Sequence, residues 1–281
     1  MDYKHKMFIC LLAISLGSCS QQDQGFLNPE GGNGIHQGDL VTAKNEVYLG
    51  TVLVAATFTD RNGQQQSNGC TGVVLSKRHI LTAAHCVFKE GPDSQNVSHY
   101  VLQKLNTSEA TLNDYVRVND FRVHKLYTEG ARNLENDLAV LGLESPLKEA
   151  IPANINYEKS IYNTPTEANG MSKKTFIIAG YGAYDNGAID FKLRSATMQQ
   201  KLDRYPADKI LWLTPKQGCP LNGDSGGPAY GIGSDGQRRV VGIASAILGK
   251  ENVLGACRES AKYMILSEYR EFIEESIELL K

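Results

Sequence analysis

The sequence lacks a surplus of either charge. Its 281 residues carry 29 Lys and Arg against 31 Asp and Glu, a formal net charge of −2 at pH 7. That balance gives nucleic acid or an anionic surface nothing to be drawn to. Long apolar runs are missing as well: Met7 to Leu16 falls well short of the roughly 20 residues that span a bilayer. Cysteine is sparse. Six occur, none in the paired C-x-x-C spacing of a zinc site. No repeat is visible. At 41% hydrophobic and 21% charged, the composition is that of an ordinary soluble globular protein, long enough for one large domain or two small ones.

What is present concentrates at Gly223-Asp224-Ser225-Gly226-Gly227-Pro228. Glycine lacks a Cβ and permits tight turns and close backbone approach. Such a loop can expose a serine oxygen and aim backbone N–H groups at a point beside it, which is what acyl transfer requires. A serine hydroxyl is a poor nucleophile without a base, and the base needs an orienting partner. Thr82-Ala83-Ala84-His85-Cys86 follows the apolar runs Gly72 to Leu75 and Ile80-Leu81, and Asn136-Asp137 heads the run Leu138 to Leu141.

Three blocks, GCTGVVLSKRHILTAAHC, NDLAVLGL and GDSGGP, resemble the signature blocks of the chymotrypsin/trypsin-family serine peptidases, in that family's order of His, Asp and Ser. The resemblance covers residues 35–281. It implies an all-β fold of two six-stranded antiparallel β-barrels with a C-terminal α-helix, barrel one over about 35–150 and barrel two over about 151–281. It implies a serine endopeptidase with His85 as base, Asp137 as its orienting partner and Ser225 as nucleophile. The oxyanion hole falls to the N–H groups of Gly223 and Ser225, and Ser245 is expected to line the cleft and contact Asp137. The implied partners are protein or peptide substrates, with no metal and no organic cofactor, and the expected state is a monomer. Two rivals on the same fold are an inactive binding module and a serine esterase.

The ends of the chain have their own readings. Lys4, His5 and Lys6 before the short apolar run make a secretory leader over 1–18. Leu16-Gly17-Ser18-Cys19 resembles a bacterial lipobox, which implies lipidation of Cys19, export, and attachment at the outer membrane or cell surface. Residues 19–34, rich in Gln, Gly and Asn, read as a flexible tether or propeptide. Ile35-His36-Gln37-Gly38 resembles the start of mature family members. This implies activation by a cut before Ile35, pairing of the new amino group with Asp224, and release of a soluble extracellular enzyme. At the other end, Met264, Tyr269, Phe272, Ile273, Ile277 and Leu280 form a helical stripe over 263–281.

With Cys10 in the leader and Cys19 in the lipobox, four cysteines remain, and their export suggests two disulfides of three possible pairings. The resemblance selects Cys70–Cys86 and Cys219–Cys257. Strands are expected over 47–59, 115–124, 176–182 and 240–244. Two departures from the family pattern bear on substrate preference. Cys219 lies six positions before Ser225, two more than is usual, and Ala246-Ile247 follow Ser245 where many members have Trp-Gly. No acidic residue occurs between Trp212 and Asp224 to charge a pocket floor. Ile247 and Ala261 fall where wide-pocket members carry glycine, so small aliphatic side chains are expected before the scissile bond.

Overall fold

Short β-branched and apolar runs, each ended by a turn, make strands that can bury a face only by closing on one another. In the first set these are β2 (Thr51–Thr59), β3 (Gln65–Ser76), β4 (His79–Thr82), β5 (Gln95–Leu102), β6 (Tyr115–Val123) and β7 (Ala139–Leu143). They pair antiparallel in the order β2-β3-β4-β7-β6-β5 and close into a barrel. The computed structural model describes residues 35–281 except 37, 44–45, 61, 89–94, 129–134, 159–173, 184–189, 191, 202–208, 234 and 252–256. The expected leader, Cys19 and the tether to residue 34 lie outside the described residues.

The second set is β8 (Thr175–Gly180), β9 (Arg194–Gln200), β10 (Ile210–Gln217), β11 (Pro228–Ile232), β12 (Arg238–Glu251) and β13 (Arg258–Ile265). Antiparallel pairing runs β8-β9-β10-β13-β12-β11 and returns from β11 to β8, a second closed six-stranded barrel. Strand β9 shows why one face is interior: burial alternates residue by residue along its whole length. Each barrel has its own apolar core, and a third cluster including Leu81, Val140, Tyr181, Ile243 and Met264 joins them.

The chain ends cross over. β1 (Asp39–Leu40) pairs with β9, His36 bridges to Cys219, and Ile35 is fully buried in the core of the second barrel. Residues 35–40, expected with barrel one, thus attach to barrel two. The C-terminal helix, Arg270–Leu279, lies against the first barrel: His79 Nε2 is 3.3 Å from the Leu280 carbonyl oxygen, and Arg122 faces Glu275 at 3.5 Å.

Two further expectations are corrected. The helix begins at Arg270, not Tyr263, because Tyr263, Met264 and Ile265 pair across β13 with β10 and β12. A run of apolar residues buried on both faces suits strand and helix alike. The strand expected from Val47 begins at Thr51, after a helical turn over Glu46–Leu49.

Candidate active site

His85 follows β4 on a short 3₁₀ turn, Ala84–Cys86, tied to β3 by the disulfide Cys70–Cys86, whose Cα atoms are 6.1 Å apart. Asp137 stands just before β7. Its position is set by Asn136, which takes the left-handed φ of 61° that asparagine tolerates. The Asn136 N–H donates to the Tyr269 hydroxyl at 3.2 Å, and its carbonyl accepts from Leu138 N–H at 2.8 Å. The Asp137 carboxylate is fully buried, and an isolated buried charge is heavily penalised. Three groups meet it: His85 Nδ1 at 2.8 Å, the His85 backbone N–H at 3.0 Å and the Ser245 hydroxyl, which donates at 2.6 Å. A carboxylate facing Nδ1 fixes the imidazole tautomer and leaves Nε2 as the base. The His85 side chain keeps 32% of its surface exposed, so it stays reachable from the cleft.

Main-chain bonds hold the Ser225 loop. Each of its two candidate oxyanion donors belongs to a peptide plane whose carbonyl is anchored. Asn222 O accepts from Ala183 N–H at 2.6 Å, and Asp224 O accepts from Gly227 N–H at 2.9 Å. In a trans peptide the N–H points opposite to the carbonyl, so these bonds aim the N–H groups of Gly223 and Ser225. Among the described residues, those two N–H groups donate to no other group. Gly223 and Gly226 adopt φ of 94° and 80°. A Cβ on Gly226 would lie 2.1 Å from Thr82 Oγ1 and 2.2 Å from Thr71 O, so only glycine lets the loop seat against the first barrel. The Ser225 carbonyl accepts from Thr71 N–H at 2.8 Å and lies 3.7 Å from Cys86 Sγ, which places Ser225 beside the His85 turn.

Asp224 is buried. Gly182 N–H and Leu221 N–H each donate to its carboxylate at 2.8 Å, and Gly180 and Gly182 must lack side chains because the carboxylate occupies that space. Burial raises its pKa to about 7, outweighing those two hydrogen bonds and the charge of Arg194. Of the two residues before Asn222, Pro220 and Leu221, the second thus closes a turn on Asp224, just after Cys219, which is bonded to Cys257. Ile247 and Ala261 face each other across β12 and β13. Ile35 lies in the neighbouring core, in a continuous chain. The ligand atoms of Cys70, His85 and Cys86 come within 4.8 Å of one another, but the two sulfurs are bonded to each other and offer a metal no thiolate. Sequence reading missed Thr71, Tyr269 and the glycine pair 180 and 182, each of which acts on a residue distant in the chain. It also missed Lys262, whose ammonium is lowered by burial while Glu135 and Asp137 pull it back up.

Among the described residues no helix is long and apolar enough to cross a membrane. Comparison with known proteins gives a consistent neighbourhood. The chain is 28% identical to alkaline trypsin C of Manduca sexta over 214 residues, 69% of this chain and 74% of that one. It is 29% identical to trypsin iota of Drosophila melanogaster over 189 residues, 63% of this chain and 67% of the other. It is 24% identical to chymotrypsin-C of Rattus norvegicus over 224 residues, 75% of this chain and 78% of the other. The family model described as Trypsin matches residues 46–264, from the first helical turn to β13 and across both barrels. On that match and on the two closed barrels, the chain belongs to the trypsin family and is a trypsin-like serine endopeptidase.

Proposed function

We propose that this endopeptidase cleaves peptide bonds through an acyl-enzyme on Ser225. The observation that carries the reading is the buried Asp137 carboxylate, 2.8 Å from His85 Nδ1, across from a serine loop with two unengaged N–H groups. His85 Nε2 takes the Ser225 hydroxyl proton as Oγ attacks the scissile carbonyl carbon. The tetrahedral oxyanion is received by Gly223 N–H and Ser225 N–H. His85 then hands its proton to the leaving amine, and water repeats the cycle on the ester. Asp137 holds the tautomer and balances the imidazolium, with Ser245 supporting the same carboxylate oxygen as Nδ1.

The absence of acid between Trp212 and Asp224 and the facing of Ile247 and Ala261 support a preference for small aliphatic residues before the scissile bond. Activation by a cut before Ile35, with the new ammonium pairing Asp224, is supported by the burial of both and by the raised pKa of the carboxyl, which gains most from a cation. Export is supported by the leader and by two disulfides, and a lipid on Cys19 and a monomeric state complete the reading.

Labelling purified protein with a fluorophosphonate tests the mechanism. The adduct is expected on Ser225 and absent from Ser225→Ala; an unlabelled wild type favours an inactive binding module. A peptide library dominated by Arg, Lys, Phe or Tyr overturns the pocket reading. Mass analysis of the mature N-terminus decides the lipid and the cut.

A further inference from the structure

One buried side chain in the first barrel touches both barrels at the nucleophile loop. Thr71, in β3 and fully buried, donates its hydroxyl to the Gly223 carbonyl at 3.0 Å and accepts the Tyr181 N–H at 3.0 Å. Its own N–H donates to Ser225 O at 2.8 Å, and its carbonyl accepts from the Thr82 hydroxyl at 2.8 Å, three residues before His85. The hydroxyl therefore has both its donor and its acceptor capacity used.

Gly223 sits at φ 94° and carries no side chain of its own to hold its two flanking peptide planes. The plane before it is anchored by Ala183 N–H on Asn222 O, and the plane after it at both ends, by Asp224 N–H on Leu221 O and by the Thr71 hydroxyl on Gly223 O, the latter being the one side-chain contact. We propose that Thr71 is a positioning residue for the oxyanion hole: its hydroxyl holds Gly223 in the conformation whose N–H converges with that of Ser225. β-Branching restricts χ1 and so keeps the hydroxyl on target. The position of Cγ2, 3.3 Å from where a Cβ on Gly227 would stand, shows how closely the methyl is packed. The inference rests on the Ser225 mechanism proposed above.

The test compares wild type, Thr71→Val, which removes the hydroxyl at nearly constant shape, and Thr71→Ser, which keeps it. Each is measured for kcat and KM on a peptide substrate. Each is also measured for affinity to a peptide aldehyde, which forms a tetrahedral adduct, and to the matching product peptide, which does not. Thr71→Val is expected to lower kcat about tenfold, less than the 10²–10³ lost with an oxyanion donor itself, with KM within about twofold. Aldehyde affinity falls with kcat and product affinity stays. Thr71→Ser is expected to recover most of kcat. If Thr71→Val does not fold, Thr71→Ala carries the same comparison. A folded variant without the hydroxyl that keeps wild-type kcat, or loses product and aldehyde affinity equally, overturns the inference. So does a Thr71→Ser as impaired as Thr71→Val. A wild type that fails to label at Ser225 overturns the mechanism and the inference together; a labelled, active wild type beside an unimpaired Thr71→Val overturns the inference alone.

Discussion

The half of the site on the first barrel is held mostly by side chains, and the half on the second mostly by main chain. Asp137 is met by an imidazole and a hydroxyl, and its turn is fastened by the Tyr269 hydroxyl. The Ser225 loop is instead fixed through the carbonyls of Asn222, Asp224 and Ser225 and through glycines that admit neighbouring atoms. In the first half the identity of each side chain matters. In the second, conformation matters, and it is set by the Thr71 hydroxyl and by glycines that must have no side chain.

That contrast can be broken most severely at the reacting groups. His85→Ala and Ser225→Ala should each reduce turnover about 10⁶-fold, and the double variant should lose little more, because they act as one unit. Asp137→Asn should cost about 10⁴-fold, since the wrong tautomer is favoured while the geometry stays. Steady-state kinetics on folded variants check all four.

On the main-chain side, Gly226→Ala should cost about 3 kcal/mol or more, through a left-handed φ and contact with backbone. Gly63 shares that kind of φ, at 75°, but has open space around it, so Gly63→Ala should cost only about 1 kcal/mol. Denaturant titration separates the two, and equal losses would remove close approach as the reason for Gly226. Ser245→Ala, which strips one of three donors from the buried Asp137 carboxylate, should reduce kcat about tenfold and cost about 1–3 kcal/mol of stability.

The finest distinction is in pH dependence. Burial holds His99, in the first barrel, at a pKa of about 4 against an ordinary 6.5. It is neutral when folded, so its contribution is whole above pH 6.5 and is lost as pH falls toward 4. Asp224, in the second barrel, stands at about 7 against 3.8 and binds its proton more tightly when folded, so its contribution falls as pH rises from about 4 to 7. The two slopes oppose each other across the same window. In the uncut chain the two slopes partly cancel, so Asp224→Asn should steepen the rise of stability with pH and His99→Gln should tilt it toward a fall. Thermal melts from pH 4 to 7 measure both.

Much of this was legible in the sequence because it is local. The His85, Asp137 and Ser225 blocks are contiguous, and the strands at 115–123 and 175–180 announce themselves by composition and neighbouring turns. What escaped is long-range. Thr71 meets Gly223 across 152 residues, and Asn136 meets Tyr269 across 133. Gly180 and Gly182 look like an ordinary strand end followed by a turn until the Asp224 carboxylate arrives over them. The helix start was misplaced for a different reason: Met264 and Ile265 fit a helical stripe and are buried in a strand.

The exchange of chain ends has a mechanical consequence. Neither disulfide links the barrels, since Cys70–Cys86 lies in one and Cys219–Cys257 in the other. Yet the first described residues are clasped by the second barrel and the last by the first. Each half therefore carries a strap that belongs, in sequence, to the other. Neither barrel can open alone without peeling a strap away from its partner, so the two barrels should melt together, and two fragments severed between them should stay associated until they do.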